Sequence, residues 1–131
     1  KSLDNPFRHK IIVLGSSITH GASASRPGMT YPARLGRDNG LYTCNLGFSG
    51  SCRLQQEYAR YLADIKDVDA IILDAFSNPS AEEIYERFND FVETSPLKDI
   101  PFQIKSASAS PRFVTRCTCA KLFLFFFVFD R

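Results

Sequence analysis

Ser17 is the residue whose type and setting best suit chemistry: it follows an apolar run, Ile11 to Leu14, and a glycine, Gly15, in a turn that presents two adjacent hydroxyls. An apolar run of that length fits a strand buried on both faces of a parallel sheet, and the glycine lets the chain turn sharply after it. Ser17 then stands at the carboxyl end of the strand, at the mouth of the next helix. Backbone N–H groups at a helix start have no partner inside the helix, so an oxyanion forming beside Ser17 meets donors already aimed at it. Such a setting allows attack by the serine hydroxyl on an ester carbonyl, through an acylated serine. The plainer alternative is that Gly15-Ser16-Ser17 only caps a helix.

A serine hydroxyl is a weak nucleophile until a base takes its proton, and that base needs a third group to orient it. His9 and His20 are the only histidines. His20 follows Ser17 by one helical turn and reads as a surface polar residue. His9 precedes the first strand and falls at the opposite edge of the sheet, so neither qualifies as a general base. Donors are easier to find. The loop Gly47-Phe48-Ser49-Gly50-Ser51 holds two glycines, which suits backbone approached closely by another group, and Asn78 carries an amide N–H₂ able to hold an oxyanion. Before Pro79, Asn78 is also an ordinary turn residue. Asp74, closing an apolar run, reads as a solvated strand terminus. Arg26 and Arg53 are candidates for an anionic substrate group, although exposed arginines usually only solvate a surface.

These residues need a scaffold, and the apolar pattern supplies one. Asn5-Pro6 is a turn signal before the first strand, and Ala22 to Gly28 is a small-residue loop. Thr30 with Pro32 marks a helix running to Arg37, closed by Asn39-Gly40. Leu41 to Leu46 reads as a second strand. Leu54, Tyr58, Tyr61, Leu62 and Ile65 recur at helical spacing, and Ala70 to Leu73 is a third buried strand. Ser80-Ala81-Glu82-Glu83 forms a capping box ahead of Ile84, Phe88, Phe91 and Val92 on one helical face. Ile100 to Ile104 should begin a fourth strand. Alternating strands and helices imply a parallel sheet with right-handed crossovers and helices on both faces. Strands one to three then end at one edge, where the loops holding Ser17, Gly50 and Asn78 converge on the ligand crevice of such folds.

With 131 residues and 44% hydrophobic content, the chain is of single-domain size. Its net charge of +2 is unevenly placed, since the segment 103–131 is basic and the rest mildly acidic, which gives no electrostatic footprint for nucleic acid. Cys44, Cys52, Cys117 and Cys119 lack the paired spacing of a zinc site, so no metal is expected; Cys44 suits a packed strand position, and Cys52 a free thiol in a loop. No signal-type hydrophobic region opens the chain, and removal of one beforehand leaves the compartment open. The pattern breaks after Ile104: residues 105–120 have no periodicity, and 121–129 is nearly all apolar, too short to span a bilayer as a helix. The abrupt change points to a shifted reading frame or an aberrant terminus over 105–131, with a buried strand in 121–129 as the alternative.

Three blocks in order carry a family resemblance. Gly15-Ser16-Ser17-Ile18-Thr19-His20-Gly21 resembles the first block of the GDSL, or SGNH, hydrolases, G-D-S-[LI]-T-x-G. Asn45 to Gly50 is similar to the second block, N-x-x-x-x-G, and Phe76-Ser77-Asn78 to the third, G-x-N-D. The stretch from Ala24 to Pro32 also resembles a loop of a bacterial branch of that family. The resemblance covers about residues 10 to 104. It implies a flavodoxin-like three-layer α/β/α fold around a central parallel sheet, with the C-terminal part missing, and a serine esterase acting on small-molecule or carbohydrate esters without metal or organic cofactor. It places the nucleophile on Ser17, and the oxyanion donors on the Ser17 N–H, Gly50 and Asn78. Ser16 and Pro79 stand where the blocks have Asp, altering the hydrogen bonding of both turns. The last block, D-x-x-H, which supplies the base, does not follow Asn78. Little or no turnover is therefore expected of this chain. Two rival readings use the same residues: a flavodoxin-like module cradling a phosphate or flavin at the Gly15–Gly21 turn, and a non-catalytic carbohydrate-binding remnant of the same fold.

Overall fold

The computed structural model describes residue 7, residues 9–99 and the strand 125–128. Strands β1 (Lys10–Gly15), β2 (Tyr42–Gly47) and β3 (Ala70–Asp74) form a parallel sheet in the order β2-β1-β3, so β1 is central. The register sets Gly15 beside Gly47 on one side and beside Asp74 on the other. All three strands therefore end level, and the loops that follow leave the same edge. The sheet is not wholly parallel as expected: β4 (Phe125–Val128), within the apolar run 121–129, pairs antiparallel with β3. The strand expected at Ile100–Ile104 lies outside the described residues, as does most of the segment 105–131.

The helices follow local signals. Helix α2 (Tyr31–Asn39) opens on Thr30, whose side chain accepts from Ala33 N, has proline in its first turn and closes on Gly40 in the left-handed conformation. Helix α3 (Gln56–Asp64) turns Ala59 and Leu62 inward. Helix α4 (Ala81–Thr94) carries the capping box in full: Ser80 Oγ accepts from Glu83 N, and Ser80 N donates to Glu83 Oε2.

Alternation along the strands assigns the two faces. Ile12, Leu14, Ile71 and Leu73 pack with Leu62 and Phe91 into the main core under α3 and α4. Each such side chain contributes about 1.5–3 kcal/mol by leaving water. Cys44 packs against the same cluster from β2. On the other face, β2 presents Thr43 and Asn45 to α2 and to the short helix α1 (Ser17–His20): Thr43 Oγ1 donates to Pro32 O, and Asn45 Nδ2 to Thr19 O. Helices thus cover both faces, giving the three layers expected. No helix among the described residues is long and apolar enough to cross a membrane.

Candidate functional site

Ser17 is the first residue of α1, directly after β1, and is half-buried. Helix α1 is only four residues long, and a helix of one turn cannot hold itself together. Its neighbours hold it. Asn45 Nδ2 donates to Thr19 O at 2.8 Å, while Asn45 Oδ1 accepts from Gly47 N at 2.9 Å, so one β2 side chain ties the helix to the end of its own strand. From β3, Asp74 Oδ2 accepts from Thr19 Oγ1 at 2.8 Å and from Tyr31 Oη at 3.1 Å, which joins α1, α2 and β3. The fit is close enough that a Cβ on Gly15 would overlap Thr19 Oγ1, and one on Gly47 would overlap the backbone nitrogen of His20.

Two readings made from the sequence change here. Asp74 is not a solvated strand terminus: it is 3% exposed and receives two hydroxyl hydrogen bonds. Burial holds its carboxyl above the usual aspartate range, against the downward pull of Thr19 and Tyr31. Burial first, and then the Asp74 charge, push the Tyr31 phenol well above its ordinary value. The other change concerns the helix cap. Ser16 occupies the N-cap position of α1, yet its side chain makes no capping bond, and its buried Oγ has no hydrogen-bond partner among the described residues. The turn is therefore shaped by something other than its own serine cap.

Gly50 lies in the loop after β2 with φ 70°, and a Cβ there would meet open space, so its glycine character answers to backbone conformation. Asn78, in the loop after β3, donates from Nδ2 to Ser51 O at 2.6 Å. Phe48 N donates to Gly15 O at 3.0 Å. These two bonds tie the loop carrying Gly50 to the loop carrying Asn78 on one side and to the end of β1, just before Ser17, on the other. The loop itself is strained beyond what its sequence announced: Cys52 and Leu54 have φ of 61° and 57°, a left-handed conformation that costs roughly 1–3 kcal/mol per non-glycine residue. Both side chains are buried, and that burial holds the strain in place. Cys52 is a free thiol, as expected of it, but an enclosed one; burial and the Asp74 charge push it up to about 12.

The remaining candidates separate cleanly. His20 closes α1 on the exposed surface, and His9 pairs with Asp69 at 3.6 Å at the opposite edge of the sheet. Among the described residues neither is hydrogen-bonded to Ser17. Arg53 Nη1 is engaged by Glu83 Oε2 at 3.0 Å, the carboxylate that also caps α4, whereas Arg26 has no ion pair among the described residues. Asp74 is the residue of this region that sequence reasoning misjudged, while Asn45 entered it only as the first residue of a block and Cys52 as a free thiol without its burial. The available signal was an aspartate closing an otherwise apolar strand, level with the glycine of the turn.

Comparison with known proteins agrees with this fold. The GDSL-like Lipase/Acylhydrolase family matches residues 8–103. A crystal structure described as a GDSL-like lipase from Bacteroides ovatus ATCC 8483 is 55% identical, with a TM-score of 0.68 over 75% of this chain. The chain spans only 29% of the length of that protein. No curated protein matches. The matched span takes in β1 to β3, the serine turn and both companion loops, and on that ground the chain belongs to the GDSL-like lipase/acylhydrolase family.

Proposed function

We propose that this chain carries the nucleophile and oxyanion half of a serine acylhydrolase site for carboxylic esters, with acetyl esters of carbohydrates as the substrate class. Ser17 Oγ attacks the carbonyl carbon while its proton passes to a base that the residues of this chain do not supply, the carbonyl π pair moves onto oxygen, and the same proton later leaves with the alcohol. That oxygen takes hydrogen bonds from the Ser17 N–H, the Gly50 N–H and the Asn78 amide. Collapse expels the alcohol and leaves the acyl group on Ser17, which water then releases.

The observation that carries this reading is the bond from Asn78 to Ser51 O. It fixes the amide beside the Gly50 loop while using one of its two N–H bonds, and the other is free for an oxyanion. Family membership favours an acylhydrolase over a phosphate cradle at the same turn. The base is the missing part: no histidine follows Asn78, and His9 and His20 are placed elsewhere. Residual rate enhancement from an oxyanion hole without its base is real but small compared with a complete triad.

A small fluorophosphonate, with the adduct located by peptide mass spectrometry, tests the assignment. At alkaline pH, where hydroxide takes the serine proton that no base of this chain removes, the adduct is expected on Ser17, absent from Ser17→Ala and at least roughly tenfold slower to form in Asn78→Ala, as loss of an oxyanion donor requires. Labelling that ignores both substitutions sinks the reading. Hydrolysis of p-nitrophenyl acetate is expected to be the same for the chain and for Ser17→Ala, and robust Ser17-dependent turnover would refute the absence of a base.

A further inference from the structure

We propose that the cavity beside α1 receives a carboxylate carried by the ester substrate, with Arg26 as the residue that selects for it. The proposal rests on the acylhydrolase reading and adds the charge of the substrate to it. The cavity, about 770 Å³, is lined by His20, Ser25, Arg26, Thr30, Asn45 and Ser49, among others. That volume falls in the range of small-molecule sites. Its position matters more than its size. His20 ends the helix that Ser17 begins, and Ser49 precedes Gly50, so the cavity adjoins two of the three loops proposed to hold the reacting carbonyl.

Charge supplies the ligand class. Among the described residues no carboxylate lines the cavity, while an arginine and a histidine do. Arg34 and Arg37 are paired with Asp38, and Arg53 and Arg87 with Glu83; the exposed Arg26 and Arg60 have no such partner among the described residues, and of these two Arg26 lines the cavity. An unpaired guanidinium presents a planar fork of donors that matches a carboxylate with two parallel hydrogen bonds. The loop bearing it is braced. Arg26 O accepts from Met29 N, Pro27 opens the 3-10 turn Pro27–Met29, and Arg37 Nη1 donates to Gly28 O at 2.8 Å, anchoring that turn to α2. Bracing of the backbone reduces the loop entropy lost when a ligand is engaged. Ser25 and Ser49 add polar groups, Thr30 Oγ1 is taken by Ala33 N and Asn45 by α1, and Ala22, Ala24, Pro27 and Ala33 make the rest of the wall apolar, which suits the hydrocarbon part of an ester beside its carboxylate.

Amide NMR titration of the full chain with monomethyl succinate, an ester bearing a carboxylate, and with dimethyl succinate, its neutral counterpart, tests the site. Monomethyl succinate is expected to shift the Gly21, Ser25 and Ser49 signals with an affinity roughly tenfold or more above that of the diester, the scale of one charge-assisted bidentate contact. Arg26→Gln should abolish that preference, and Arg53→Gln should keep it. Equal affinities, a preference that survives Arg26→Gln, or no shifts at these amides with either ester would overturn the proposal. The fluorophosphonate adduct is read separately. A carboxylate preference without an adduct on Ser17 supports this site and overturns the acylhydrolase reading, and an adduct without the preference does the reverse.

Discussion

Ser16 and Ser80 both sit at the N-caps of α-helices, and they behave in opposite ways. Ser80 caps α4 with its own side chain, completes a reciprocal pair with Glu83 and opens a helix of fourteen residues. Ser16 caps nothing with its side chain, and opens a helix of four. The first helix is specified by residues within four positions of its start. The second is specified by side chains from two other strands, Asn45 and Asp74, and by two glycines that leave it room. A short helix held from outside fixes its first residue, Ser17, relative to the sheet, which a free-standing turn could not do.

Breaking the outside hold should have the largest effect. In Gly47→Ala the new Cβ would meet His20 and Thr19 backbone, which cannot yield as a flexible side chain could. A loss of about 3 kcal/mol in urea unfolding is expected, at the upper end of overpacking penalties. A loss under about 1 kcal/mol would mean that α1 is free to move off β2.

Asp74 sharpens the contrast through charge. Asp74→Ala removes the carboxylate that accepts from both the Thr19 and Tyr31 hydroxyls, leaving them only each other at 3.0 Å, and should cost about 2 kcal/mol. The pH dependence has a definite sign. Because the folded state raises the Asp74 pKa, its contribution is fully present below the ordinary aspartate value of about 3.9 and is lost as pH rises through the raised folded value. Melting temperatures measured from pH 4 to 8 should therefore show the chain gaining on Asp74→Asn as the pH falls. A constant difference between the two would show that Asp74 is not desolvated.

The smallest effects compare the two serines directly. Ser80→Ala should destabilise by about 1 kcal/mol through loss of a working cap. Ser16→Ala should change stability by no more than about 0.5 kcal/mol, or raise it, since the buried hydroxyl it removes has no partner among the described residues. A larger loss at Ser16 than at Ser80 would reverse the distinction drawn between the two helices.

The same distinction explains what could be read from the sequence. Helices α2 and α4 and strands β1 to β3 announce themselves through caps, glycine stops and apolar periodicity, all of which act over a few residues. That the loops carrying Ser17, Gly50 and Asn78 leave one edge follows from the same logic, because loops at the carboxyl ends of adjacent parallel strands must share an edge, whereas the roles expected of those residues came from the family resemblance. Asp74 was misjudged because its burial depends on Thr19 and Tyr31 arriving from far away in the chain. The left-handed backbone at Cys52 and Leu54 had no local sign either, since neither is glycine and both are fixed by the core they reach. The antiparallel pairing of β4 lies beyond any alternation rule, for its apolar run carries no facing signal of its own.

The hold on α1 also sets an order of events during synthesis. Thr19 meets an acceptor that lies 55 positions further along, and its carbonyl meets a donor 26 positions along. Contacts of such separation form only after the intervening chain has closed. Ser17 thus leaves the ribosome before the strands that set it in place. A nascent chain that stops short of β3 bears its serine on a turn with nothing beneath it, and the chemistry proposed for Ser17 begins only when the third strand docks.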